Sequence, residues 1–126
     1  MPLPSRRRKD GRPLSGARAI LLGTDTPIGL AVVGELGRHG WLTIGVGRSR
    51  NALARFSRYC LAHAVRQRQE QALVAQILEL AARHKAGYLL AIGEGDLLMI
   101  NRHRPAFERV LKVLTPTDEQ LRAVLD

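Results

Sequence analysis

The sequence predicts an α/β domain of three layers, with helices covering both faces of a mainly parallel sheet of four to five strands. Three observations carry that class. Apolar runs at 19–22, 42–46 and 88–92 are nearly continuous rather than alternating, as in strands buried on both faces. The segments between them are long enough to be crossovers, which parallel pairing requires. Each run stops at a glycine, Gly23, Gly47 or Gly93, where the chain turns away from the sheet.

Residues 1–16 are rich in Pro, Arg, Ser and Gly without periodicity and are expected to form a disordered basic tail, leaving 17–126 as the domain. The first strand ends at Gly23, and the loop Gly23-Thr24-Asp25-Thr26-Pro27-Ile28-Gly29 enters an amphipathic helix over 28–39. On it Ile28, Ala31, Val32 and Leu36 are expected to face the sheet. Gly29, Gly34 and Gly37 each cost a helix interior about 1 kcal/mol relative to Ala, which points to close backbone packing, and Gly29 and Gly37 share the stripe of Val33.

The second strand, 42–46, opens into Gly47-Arg48-Ser49-Arg50-Asn51, followed by a short helix over 52–58 and a short edge strand within 59–65. The helix over 69–84 has the clearest pattern, with Leu73, Ile77 and Leu80 in one apolar row and Val74, Leu78 and Ala81 in the next. Gly87 is expected to end it. Residues 88–92 read as a fully buried central strand, and Asp96 as the cap of a helix over 97–102. After an apolar stretch at 110–114, Thr115-Pro116-Thr117-Asp118 opens a final helix with Thr115 as cap and Pro116 at its first position.

At 126 residues the chain can bury one core without disulfides or metal. Of its formal net charge of +9, the tail supplies +4, so the body is only moderately basic. No aromatic residues are interleaved with Arg6, Arg7, Arg8 and Lys9, and nucleic acid is not an expected partner. No apolar run approaches the roughly 20 residues that span a bilayer, and no apolar region follows the N-terminal charges, so a soluble, cytoplasmic protein without membrane partners is expected. Cys60 is the only cysteine, which excludes an intrachain disulfide, and it reads as a small buried residue. His39, His63, His84 and His103 lack ligand-like spacing, so each reads as a surface or helix-terminus histidine and no metal is expected. Trp41 and Tyr88, at strand starts, read as packing residues.

Parallel strands finish at one edge, so the loops after Gly23, Gly47 and Gly93 should line one crevice, flanked by the first and third where the strand order reverses. The candidate substrate-binding residues are Gly23, Thr24, Asp25, Thr26, Gly47, Arg48, Gly93, Glu94, Gly95 and Asp96. The start of the first helix suits an anion. Asp25, with Glu94 and Asp96, offers carboxylates across the crevice for an ammonium group or a hydroxyl, and capping or turn formation explains Asp25 and Asp96 equally well. Nothing assembles a nucleophile, a base and an oxyanion hole, so no catalytic residue is assigned.

Leu22-Gly23-Thr24-Asp25-Thr26-Pro27-Ile28-Gly29 resembles the cofactor loop of short-chain dehydrogenases, with Arg48 where an NADP-preferring member places a phosphate-binding arginine. Pro27 replaces that family's middle glycine, Gly93-Glu94-Gly95-Asp96 stands in place of Asn-Asn-Ala-Gly, and the Tyr-x-x-x-Lys pair is absent.

A second resemblance covers nearly everything after the tail. Leu30-Ala31-Val32-Val33 through Leu36-Gly37-Arg38-His39-Gly40, then Ala54-Arg55-Phe56-Ser57-Arg58-Tyr59-Cys60, then Gly93-Glu94-Gly95-Asp96 with its helix, then Leu114-Thr115-Pro116 and a helix to Asp126, is similar in order and spacing to the N-terminal domain of ATP-grasp ligases. This resemblance implies a Rossmann-like, substrate-binding domain of an ATP-dependent carboxylate-amine ligase that is inactive alone. ATP, magnesium and the catalytic residues would belong to a missing ATP-grasp domain, and the ligand would be a small-molecule carboxylate or amine. The last helix ends at Asp126 without a glycine cap, which reads as a fragment cut before the ATP-binding domain. The alternatives are an NADP-binding oxidoreductase domain and a non-catalytic interaction module.

Overall fold

The computed structural model describes residues 17–114; the basic tail and the helix expected from Thr115 onward lie outside the described residues. Strands β1 (Arg18–Leu22), β2 (Leu42–Gly47), β3 (Cys60–Val65), β4 (Tyr88–Ala91) and β5 (Lys112–Val113) form one sheet in the order β3-β2-β1-β4-β5. Every neighbouring pair is parallel. Helix α1 (Pro27–Arg38) and a 3-10 turn at Leu53–Phe56 cover one face, and α2 (Glu70–His84), α3 (Glu94–Arg102) and α4 (Arg104–Glu108) cover the other. The result is a three-layer, Rossmann-like α/β domain whose strand order reverses between β1 and β4. Among the described residues no helix is long and apolar enough to cross a membrane.

The larger core lies under α2 and α3, where Ile20, Leu22, Ile44 and Val46 meet Leu73, Ile77, Leu80, Ile100 and Phe107. Both apolar rows expected on α2 supply it, with Leu78 only partly buried. On the α1 face, Trp41 is fully buried and its ring lies 4.3 Å from that of Tyr88, so both are packing residues.

Four expectations need correction. The central, most buried strand is β1, because β4 is flanked outside only by the two-residue β5 and keeps just Leu89 fully buried. Helix α1 is turned so that Gly29, Val33 and Leu36 are buried while Ile28 is 62% exposed and Ala31 is also exposed. The helix rests on its small residues, since a Cβ at Gly29 would overlap the Gly23 carbonyl oxygen and one at Gly37 would overlap the Tyr59 ring. Helix α2 ends at Lys85, which takes the left-handed conformation (φ 53°) and so lets the Ala86 amide donate to the Ala81 carbonyl. Gly87 is in the sheet instead: its amide donates to the Arg18 carbonyl and its own carbonyl accepts from Lys112. Finally, α3 starts at Glu94 with Gly93 as its cap, and Asp96 sits in the first turn rather than at the cap.

Candidate functional site at the carboxyl edge of the sheet

Gly23 closes β1 at a φ of 108°, a conformation that favours glycine, with Ile92 packed where a side chain would project. The next residue, Thr24, is fully buried. Gly45 and Gly47 leave this face of β2 without side chains, so Thr24 reaches across it to hydrogen-bond His63 Nε2 of β3 at 2.9 Å. Burial pushes the His63 pKa below its ordinary value, a shift opposed by the Asp25 carboxylate. His63 is therefore a half-buried strand residue rather than a helix-terminus histidine. It is part of the brace beneath the loop.

The rest of the loop closes on itself. Thr26 Oγ1 caps α1 by accepting from the Gly29 amide at 3.0 Å, and Pro27 occupies the first helical position, where its missing N–H is not needed. The Asp25 carboxylate accepts from the Arg48 amide at 2.9 and 3.1 Å and from the Ser49 amide at 3.2 Å. Asp25 is thus committed to the β2 loop, the loop-forming role rather than that of a free carboxylate across the crevice. Asp96 is committed as well, to a bidentate pair with Arg66 at 2.8 and 3.1 Å. Glu94 and Gly93 are exposed at the start of α3.

What the fold gathers at this edge is a set of arginines. Arg48 from the end of β2 and Arg66 and Arg68 from beyond β3 enclose a hollow of about 240 Å³ with Gly95, Asp96 and Arg102 of α3, above Leu73 and Met99. It adjoins a hollow of about 490 Å³ lined by Arg48, Val65, Arg66 and Arg68. Glu70, at the start of α2, receives Arg102 and His103, and these two partners hold its carboxyl pKa down to about 2. Of the residues expected from sequence, Arg48, Gly95 and Asp96 line the crevice, while Thr24, Asp25, Thr26 and the two strand-end glycines Gly23 and Gly47 build the loop behind its rim.

Arg66, Arg68, Arg102 and His63 were not expected at the site. The signal is present in Val65-Arg66-Gln67-Arg68, an arginine pair directly after a strand, but β3 does not end in glycine as β1, β2 and the 88–92 run do. A separate apolar hollow of about 330 Å³, lined by Leu78, Ala81, Ala86 and Val110 among others, holds none of the candidate residues. Among the described residues no cluster of three or more His, Cys, Asp or Glu could hold a metal ion. Burial raises the Cys60 pKa, so its thiol is protonated at neutral pH. Chemically the crevice can hold and orient an oxyanion, since guanidinium groups are donors only.

No family model matches the chain, and no curated protein matches it. Solved structures do match in fold, among them one from Pseudomonas syringae provisionally assigned as a short-chain dehydrogenase, at 14% identity and a TM-score of 0.54. The alignment covers 79% of this chain and 52% of that one, so the chain spans about half the length of that structure. At this identity the likeness shows the architecture alone, a Rossmann-like domain with a five-stranded parallel sheet.

Proposed function

We propose that the chain is the substrate-binding N-terminal domain of an ATP-dependent carboxylate-amine ligase of the ATP-grasp type. In this reading an ATP-grasp domain carries ATP, magnesium and the catalytic residues and supplies phosphoryl transfer to a carboxylate, while this chain binds and orients a substrate. The observation that supports it over a nucleotide-binding oxidoreductase is the closed loop after β1. In the first turn of α1 the Gly29 amide is taken by Thr26 and Pro27 has none, so two of the donors that a dinucleotide pyrophosphate would use there are lost. The Ser57-Arg58-Tyr59 element that carries the ligase resemblance also has a structural reason, because Gly37 leaves room for the Tyr59 ring against α1.

The fold likeness and the exposed Arg48 favour a second reading, an NADP-binding domain of short-chain-dehydrogenase type. Thermal-shift titration separates the two, since a ligand held only by the folded state raises Tm by mass action. The expected result is no saturable shift with NADPH, and ADP release in the presence of a carboxylate and an amine only when the chain is joined to an ATP-grasp domain. Micromolar NADPH binding that is lost in Arg48→Ala would overturn the ligase reading.

A further inference from the structure

We propose that the crevice at the ends of β2 and β3 is a subsite for a doubly charged oxyanion, a phosphate monoester or a closely spaced pair of carboxylates, gripped by Arg48 and Arg68 beside the Arg66–Asp96 pair. Four arginines face two carboxylates here, and the carboxylates are already engaged: Asp96 by Arg66, Glu70 by Arg102 and His103. The side chains of Arg48 and Arg68 make no hydrogen bond or ion pair with any described residue. Two unengaged guanidiniums lining one crevice repel each other and leave their donors to solvent, an arrangement that an incoming dianion relieves.

The backbone of Arg48 and that of the segment leading into Arg68 are held in place. Asp25 holds the Arg48 amide, the Arg66 amide donates to the Gly47 carbonyl at 2.8 Å, and Gln76 clamps the β3 exit through the Gln67 amide at 3.0 Å and the Val65 carbonyl at 2.9 Å. Such anchoring lowers the ordering cost of binding. The wall behind them is poorly solvated, for the paired Arg66 and Asp96 side chains are only 17% and 13% exposed, with Leu73 and Met99 below. Charge attraction is stronger in such surroundings than in open water. An amine would be repelled, so for the proposed ligase the crevice selects an acidic part of a substrate. That narrowing rests on the ligase reading, whereas the anion subsite itself does not.

The test uses the whole chain in thermal-shift titrations with inorganic phosphate, malonate and acetate at constant ionic strength. Phosphate or malonate should raise Tm saturably and acetate should not, and the tighter of the two dianions identifies the source of the charge. Arg48→Gln and Arg68→Gln should each weaken apparent affinity about tenfold or more, and the double variant should abolish the response. Both arginines are exposed, so the variants should fold, and Arg83→Gln on the outer face of α2 should change nothing. A response shared equally by acetate, retained in the double variant, or absent for both dianions would overturn the subsite. ADP release by the joined protein without dianion binding removes the subsite and leaves the ligase reading, and dianion binding without ADP release does the reverse.

Discussion

The three glycines of α1 make a sharp test of the packing, because propensity treats them alike and the structure does not. Replacing a helix-interior glycine by alanine stabilises by about 1 kcal/mol when the new methyl group meets nothing. At Gly34 the nearest foreign atoms to an added Cβ are those of the Arg38 guanidinium, 3.8 and 3.9 Å away, so Gly34→Ala should be stabilising by that amount, or about 4 °C in Tm for a domain near 100 residues. At Gly37 the Cβ would fall well within 3.0 Å of three ring carbons of Tyr59. Overpacking of this kind costs about 1–3 kcal/mol, which offsets the helix gain and leaves Gly37→Ala between neutral and about 2 kcal/mol destabilised, since a side chain can shift. At Gly29 the obstacle is the Gly23 carbonyl oxygen, with Thr24 Cα at 3.1 Å, and backbone cannot rotate away. Gly29→Ala must displace the loop after β1 and with it the Thr26 cap, a loss of about 3 kcal/mol or more. Urea unfolding of the three variants should rank them Gly34, Gly37, Gly29 from most to least stable. A destabilised Gly34→Ala, or a Gly29→Ala as stable as the parent, would refute the packing of α1 against the loop.

Thr26→Ala should lower stability by about 1 kcal/mol through loss of the cap, read by urea denaturation, while Thr26→Ser keeps most of it. Glu70 makes folding pH-dependent: its folded pKa of about 2 lies below the ordinary 4.5, so its stabilising contribution is complete above pH 4.5 and is lost as pH falls towards 2. Glu70→Gln should flatten the stability profile within that window. For His63 the lowered pKa favours the neutral ring, so its contribution is complete above pH 6.5 and is lost as pH falls through the folded value. The His63 ring protons should titrate below 6.5 by NMR, and Asp25→Asn should lower the midpoint further, because the Asp25 carboxylate supports the charged form.

Most of the sheet is legible in the sequence. Continuous apolar runs identified β1, β2 and β4, the glycine after each run located the loops, and the edge position of β3 also held. The rotation of α1 is half legible: the Gly29–Val33–Gly37 stripe marks the close packing found against Gly23 and Tyr59, whereas the apolar pattern favours Ile28 and Ala31, which are exposed. The end of α2 was misread for a related reason: Gly87 is the better left-handed residue, yet sheet pairing claims it and leaves the turn to Lys85. Asp25 and Asp96 were recognised as residues of the loops, but whether a carboxylate is free depends on which amide or guanidinium lies opposite, and Arg48 and Arg66 are 23 and 30 residues away. Local spacing therefore determined the strands, the crossovers and the edge at which they open. Only the folded chain decided that this edge is basic, because charges distant along the chain are brought together by strand order and nothing in their spacing encodes that order.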